Sequence, residues 1–292
     1  MDVVVPFAGS DERLEVLVEW LSALRRGPGD TLVIADNRPA ARDCQRGDVR
    51  VVDAGDFRGS YHARNVGARA GNAPWLLFVD ADVTPATDLL DRLFEPAPSE
   101  RAAVLAGAVR DEAPEPGTGT LAQRYAWLKA SMSQEHTLSH EGAAFAQTAN
   151  CAVRRDAFAA AGGFADRVRS GGDADLCLRL ARMGWQLESR PLAAVVHHNR
   201  QTVPRMLAQR ARHGAGAAWL GREHPGVLPA RSLPGVVRWG ARRAAAGARS
   251  LAAGDRDEAL VGLLDGPAVL AFEVGRRLPN HRLLQPGSRQ RR

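Results

Sequence analysis

Four short apolar runs set the frame for anything this chain can fold into. They are Val3-Val4-Val5-Pro6, Thr31-Leu32-Val33-Ile34-Ala35, Val49-Arg50-Val51-Val52 and Trp75-Leu76-Leu77-Phe78-Val79. The second ends at Asp36-Asn37 and the fourth at Asp80-Ala81-Asp82. Between them, Leu14, Leu17, Leu21 and Leu24 recur at helical spacing until Gly27-Pro28-Gly29, and residues 62–70 read as a helix closed by Gly71-Asn72. Strands alternating with helices predict a mostly parallel sheet covered on its faces by helices. Ligands of such sheets lie beyond the carboxyl ends of the strands, where Asp36, Asn37, Asp80 and Asp82 stand.

The middle of the chain continues with a strand at 102–109, a loop at 111–119, a helix at 121–132 and a polar loop at 133–142. A strand follows at 147–153, then a short helix closed by Gly162-Gly163 and an amphipathic helix at 173–183. Residues 192–196 read as a strand leading to His197-His198, and a basic helix runs from 203 to about 213. Past Pro225 the sequence turns Ala- and Arg-rich and ends in a basic run at 288–292.

Charge adds little to this frame. The 39 basic and 33 acidic residues leave a net charge of +6, and Lys129 is the only lysine. The arginines are spread along the chain rather than gathered on one element, so a nucleic-acid partner is not expected. An anionic phosphate ligand or a membrane surface suits the same charge. Cys44, Cys151 and Cys177 are odd in number and lack C-x-x-C spacing, which speaks against a disulfide framework or zinc site. The acidic start predicts no signal peptide, and no run of about 20 apolar residues predicts a membrane span.

Four segments carry groups fit for chemistry. Two carboxylates one residue apart, Asp80 and Asp82, can share a hard divalent cation with phosphate oxygens, although Asp also favours plain turns. Arg64 and Asn65 open a helix whose first N–H groups favour anions. Ser170-Gly171-Gly172-Asp173-Ala174-Asp175 starts another helix. There an acid can cap the helix or act as a general base, and Asp175 stands one turn before Arg179. His197-His198 offers imidazoles at a strand end, each able to be a metal ligand or a plain structural residue.

In this order the segments resemble a family 2 glycosyltransferase of the GT-A fold, over about the first 215 residues. The matching pieces are Val4-Val5-Pro6-Phe7, Ala35-Asp36-Asn37, Ala63-Arg64-Asn65-Val66-Gly67 and Leu77-Phe78-Val79-Asp80-Ala81-Asp82. They continue with Gln147-Thr148-Ala149-Asn150-Cys151-Ala152-Val153-Arg154-Arg155, Gly162-Gly163-Phe164 and Gly172-Asp173-Ala174-Asp175-Leu176-Cys177-Leu178-Arg179. The resemblance implies an α/β fold with a Rossmann-like mixed sheet. It implies a nucleotide pocket lined by Pro6, Phe7 and Ala8, with Asp36 on the base, Arg64 near base and diphosphate and Asp80 near the ribose. It implies Mn²⁺ or Mg²⁺ on Asp82, completed by His197, and Asp173 as catalytic base. Gly172 stands where the family usually has Glu, and Arg38-Pro39 replaces the usual Gly-Ser after the second strand.

The resulting expectation is a cytoplasmic, metal-dependent, inverting enzyme. It would move a sugar from a nucleoside-diphosphate sugar to the hydroxyl of a lipid-linked, glycan or small-molecule acceptor. The expected domains are 1–215, with a nucleotide half at about 1–110 and an acceptor half at 111–215, and a helical appendage at 216–292. The segment from about Val227 is expected to be dispensable and to touch the inner face of the plasma membrane, through its arginines and Trp239. A nucleotidyltransferase is the alternative enzyme, against which the short acidic Phe7-Ala8-Gly9-Ser10-Asp11-Glu12 speaks. A non-catalytic binder of sugar nucleotides or membrane surfaces is the alternative outside enzymes.

Overall fold

The computed structural model describes residues 1–115 and 117–281; Pro116 and the basic end at 288–292 lie outside the described residues. In chain order the elements are β1 (Asp2–Phe7), α1 (Asp11–Ser22), β2 (Thr31–Asp36), β3 (Cys44–Arg46), β4 (Val49–Asp53), α2 (Ser60–Ala68), β5 (Trp75–Val79), β6 (Val83–Pro85) and α3 (Leu89–Leu93). There follow β7 (Ala102–Asp111), α4 (Leu121–Leu128), α5 (Gln134–Leu138), β8 (Asn150–Arg154), α6 (Arg155–Ala160), α7 (Gly172–Arg182), β9 (Gln186–His197), α8 (Val203–Glu223), α9 (Leu233–Ala252) and α10 (Arg256–Gly275).

The nine strands among the described residues form one sheet in the order β3-β4-β2-β1-β5-β8-β7-β9-β6. Strand β1 pairs in parallel with both β2 and β5, and β2 with β4. Strand β8 runs antiparallel to β5 and β7, which makes the sheet mixed. Val3, Val4, Val5, Leu32, Val33, Ile34, Leu76, Leu77 and Phe78 are buried, as unbroken apolar runs in a sheet covered on both faces should be. The chain builds β2 and β4 on one side of β1 and β5 on the other. The carboxyl ends of β1, β2 and β5 therefore flank the point where strand order reverses.

The described chain divides into two compact units. One is Met1–Val109 with Gln134–Val196 and His281, and the other is Arg110–Ser133 with His197–Asn280. In the first, α2 lies on β1 at a distance only glycine permits, since a Cβ on Gly67 would collide with the Val4 side chain. Asn65 grips the backbone of Phe164 from both sides, donating to its carbonyl at 2.9 Å and accepting from its N–H at 3.0 Å. Arg155 ties the far end of the sheet together through Asp2 and the carbonyls of Ala68 and Ala73.

The second unit is helical. Ala122, Tyr125, Met206, Val261 and Ala268 form its core, and Asp265 of α10 joins Tyr125 of α4 to Arg243 of α9. This corrects the expectation that the segment beyond 227 is dispensable. Helix α10 supplies Val261 and Ala268 to that core and Asp265 to the Tyr125 hydroxyl, so truncation would strip Tyr125 and Met206 of partners. The expected boundary near 215 falls inside α8, which runs on to Glu223.

Candidate active site

The strand ends of the sheet unit gather the expected polar groups, each held by a local cause. The Phe7 carbonyl accepts the Asn37 N–H at 2.7 Å, which locks the β1 and β2 ends together. Asn37 itself shapes the following loop: its amide donates to the carbonyls of Ala54 and Phe57, and its Oδ1 accepts from the Gly59 N–H at 2.8 Å. Asp36 is buried and accepts the Arg38 guanidinium through Nε at 2.9 Å and Nη2 at 2.7 Å. Arg38 also reaches Asp11 at 2.6 Å and lies 5.3 Å over the Phe7 ring. Two carboxylates hold its pKa above the usual arginine value. Arg38, the departure from the family pattern, thus occupies the carboxylate assigned to the base.

Arg64 is the centre of the site. Its side chain is buried and bonds Asp80 at the end of β5, while its guanidinium lies 5.4 Å over the Tyr61 ring. Its Nε–H has no hydrogen-bond partner among the described residues. A buried donor left without a partner costs free energy unless a ligand completes it. Tyr61 in turn donates to Asp173 at 3.2 Å. A chain of contacts therefore runs from Asp80 through Arg64 and Tyr61 to Asp173, across β5, α2 and α7.

Asp173 begins α7 beside the left-handed Gly171. Burial raises its pKa above the ordinary aspartate value, opposed by the Ala174 N–H, Arg64 and the Tyr61 hydroxyl. Gly172 is small because Tyr61 fills the space: a Cβ there would meet the Tyr61 ring at 2.9 Å. The ring excludes the usual glutamate and supplies a hydroxyl to Asp173, which makes Tyr61 a functional candidate the sequence reading did not name. Its only signal was its place at the start of the Arg64 helix.

Asp175 points elsewhere. It accepts Arg179 at 2.8 and 3.0 Å, and Arg179 goes on to the carbonyls of Ala161 and Gly163. Asp82 follows Asp80 at the same strand end, partly open to solvent. Among the described residues, no three His, Cys, Asp or Glu side chains gather as a metal cage. Cys151 and Cys177 are buried, and burial pushes their thiols up, Cys177 to about 12.

His197 belongs to the helical unit. It is buried, with Nδ1 at 3.2 Å from Asn199 Oδ1 and 3.9 Å from the Asp111 carboxylate. His198 is exposed and meets Glu112 at 3.0 Å, a surface pair. The two neighbours thus differ as the alternation of a strand requires.

The model of the family described as "Glycosyltransferase like family 2" matches residues 1–216. A pre-mycofactocin glycosyltransferase of Mycobacterium tuberculosis is 29% identical over 252 residues, covering 82% of this chain and 50% of that protein. Glycosyltransferase AglE of Haloferax volcanii is 31% identical over 140 residues, 48% of this chain and 44% of its own. This chain thus spans about half the length of the curated relatives it matches. A mannosyltransferase of Pyrobaculum calidifontis, solved with GDP-mannose and Mn²⁺, superposes with a TM-score of 0.61 at 16% identity, covering 94% of this chain and 86% of its own. That likeness shows the GT-A fold. These matches favour the glycosyltransferase reading over the nucleotidyltransferase one, and the chain belongs to glycosyltransferase-like family 2.

Proposed function

We propose that this chain transfers a sugar from a nucleoside-diphosphate sugar to an acceptor hydroxyl, with inversion at the anomeric carbon. The observation that carries the reading is the connected set Asp80–Arg64–Tyr61–Asp173, which sets a cation-paired acid and a raised-pKa acid in one cluster. Arg64, with its unpartnered Nε–H, suits a diphosphate or base edge. Pro6, Phe7 and Ala8 continue the strand end on which the nucleotide would lie. Asp36 would serve the base through or beside Arg38.

The donor set also suits a metal. Asp80 and Asp82 offer hard carboxylate oxygens at one strand end, too few for an all-protein cage but apt for Mn²⁺ or Mg²⁺ arriving with a diphosphate. Asp82 would hold it from the sheet unit, whereas His197, expected as its imidazole partner, belongs to the helical unit and is given no part in the site. When bound, such a cation neutralises charge growing on the departing diphosphate.

Asp173 would take the proton from the acceptor hydroxyl as its oxygen bonds the anomeric carbon and the bond to the diphosphate oxygen breaks. Tyr61 would hold the carboxylate in place by its hydroxyl. Because burial raises the Asp173 pKa, turnover should fall with acidification at a pH above the usual aspartate range. The three free cysteines suit a reducing compartment, in keeping with a cytoplasmic enzyme. The acceptor would be a lipid-linked, glycan or small-molecule alcohol.

Side-by-side turnover of two variants tests the assignment. Asp173→Asn should lose ~10²–10⁴-fold in turnover with donor affinity nearly unchanged, because the base acts in the transition state. Asp175→Asn should cost stability instead, about 1–2 kcal/mol for its buried, charged hydrogen bonds. Equal turnover in Asp173→Asn and the parent chain would remove the base.

A further inference from the structure

The helical unit carries an exposed apolar face that the catalytic reading does not use. Helices α9 and α10 meet along glycines: a Cβ on Gly240 would lie 3.0 Å from Gly266, and one on Gly247 3.1 Å from Gly262. As the α9 number rises the α10 number falls, so the pair is antiparallel. At about 100° per residue, Val237, Ala241 and Leu251 share one stripe of α9, and Leu263, Pro267 and Val274 one stripe of α10. Each stripe lies roughly a quarter turn from the glycine seam, in the same rotational sense. Equal turns about opposed axes lead to the same side, so the two stripes form one face. It is open: Val237 is 56% exposed, Leu251 55%, Leu263 44% and Val274 44%.

The charges around this face have one sign where they are unpaired. Arg238, Arg242 and Arg249 form a row on α9 beside the stripe, on the edge away from α10, and all three are exposed. None of them makes an ion pair among the described residues. The acids of α10 are engaged elsewhere: Asp257 by Arg124, Glu258 and Asp265 by Arg243, and Glu273 by Arg276. Trp239 lies on the opposite flank of α9 and has no part in the face, which corrects its place in the expected membrane contact. No helix among the described residues is long and apolar enough to cross a membrane.

We propose that the α9–α10 hairpin lies in the headgroup layer of an anionic membrane. The shared apolar face would turn toward the acyl chains, and the Arg238–Arg242–Arg249 row toward lipid phosphates. An apolar stripe flanked by unpaired arginines is the pattern of an in-plane anchor, whose affinity adds apolar burial to attraction for anionic lipid. The proposal does not depend on the catalytic reading, and its test needs no turnover.

The full chain is floated with phosphatidylcholine vesicles, with and without phosphatidylglycerol, at low and high salt. The partition constant should be at least about tenfold higher with phosphatidylglycerol at low salt, and high salt should abolish the difference. Two variants separate the parts: Arg238→Glu/Arg242→Glu/Arg249→Glu should lose the anionic preference, and Leu263→Glu/Val274→Glu should lose binding. Both alter exposed positions, and unchanged melting profiles confirm that they fold. Absence of parent binding to anionic vesicles at low salt would overturn the proposal. So would undiminished binding by both variants, or a dimer in solution that Leu263→Glu/Val274→Glu dissolves.

Discussion

Both compact units draw carboxylates into networks, Asp265 buried and Asp80 and Asp173 half-buried, but they surround them differently. In the helical unit Asp265 accepts from the Tyr125 hydroxyl at 2.9 Å and Arg243 at 3.1 Å, with Lys129 at 3.4 Å. Three helices are cross-linked, and the carboxylate is fully occupied. In the sheet unit Asp173 meets one hydroxyl and the neighbouring N–H, Asp80 meets Arg64, and Arg64 keeps a buried donor without a partner. A satisfied buried network rigidifies a fold, whereas a half-satisfied one costs stability and is kept where a ligand completes it. The contrast separates a structural acid from candidate functional ones without reference to sequence motifs.

The contrast breaks most visibly at Asp265. Asp265→Ala should lower stability by about 2–4 kcal/mol, because it leaves the buried Tyr125 hydroxyl without its acceptor and two cations without their partner. Chemical denaturation would read this, and nucleotide binding by the folded protein should be unaffected. A loss of binding with full stability would reverse the roles of the two networks.

Gly172 sharpens the other side. Gly172→Ala places a methyl against the Tyr61 ring and should cost about 1–3 kcal/mol by overpacking. Turnover should fall as well, since Tyr61 cannot move without leaving Asp173. Gly172→Ala/Tyr61→Phe should not restore turnover, whereas a merely steric effect would be eased by Gly172→Ala/Tyr61→Leu.

A smaller effect lies in pH. Burial and the neighbours Arg212, Arg210 and Arg200 hold the His213 pKa down to about 3, against an ordinary value of 6.5. The unfolded chain therefore binds the extra proton first, so stability is complete above about pH 6.5 and is lost as pH falls toward 3. His213→Leu should flatten this acid limb and leave the melting midpoint at pH 8 nearly unchanged. An identical acid limb in both proteins would assign it to other groups.

Much of the sheet unit was legible in the sequence because its strands are continuous apolar runs with acids at their ends. The short strands β3 and β6 gave no such signal: Cys44–Arg46 is exposed throughout, and Val83–Pro85 contains a proline. Strand β9 begins six residues before the apolar run suggests, since Arg190 sits inside it as a buried residue held by the Leu93 carbonyl and Glu188. The residues at the start of α5 read as a polar loop. Gln134 is nevertheless buried there, bonding the Gly107 and Asn150 carbonyls. The Asp175–Arg179 pair followed from helical spacing alone, but the part of Tyr61 could not, because α2 and α7 are brought together only by the fold. The helical unit was least legible: an Ala- and Arg-rich stretch shows its packing face only once its glycines find their partners.

The central claim, that the carboxyl ends of β2 and β5 hold a nucleoside diphosphate with its metal, is tested most directly by thermal shift. Nucleoside diphosphates are screened with and without Mn²⁺ against the parent chain and Asp82→Ala. A ligand of the native state raises the midpoint by mass action. A Mn²⁺-dependent rise is expected for one nucleotide in the parent chain. In Asp82→Ala that rise should vanish while the midpoint without ligand stays nearly the same. An undiminished rise in Asp82→Ala, or no rise with any nucleoside diphosphate in the parent chain, would contradict it.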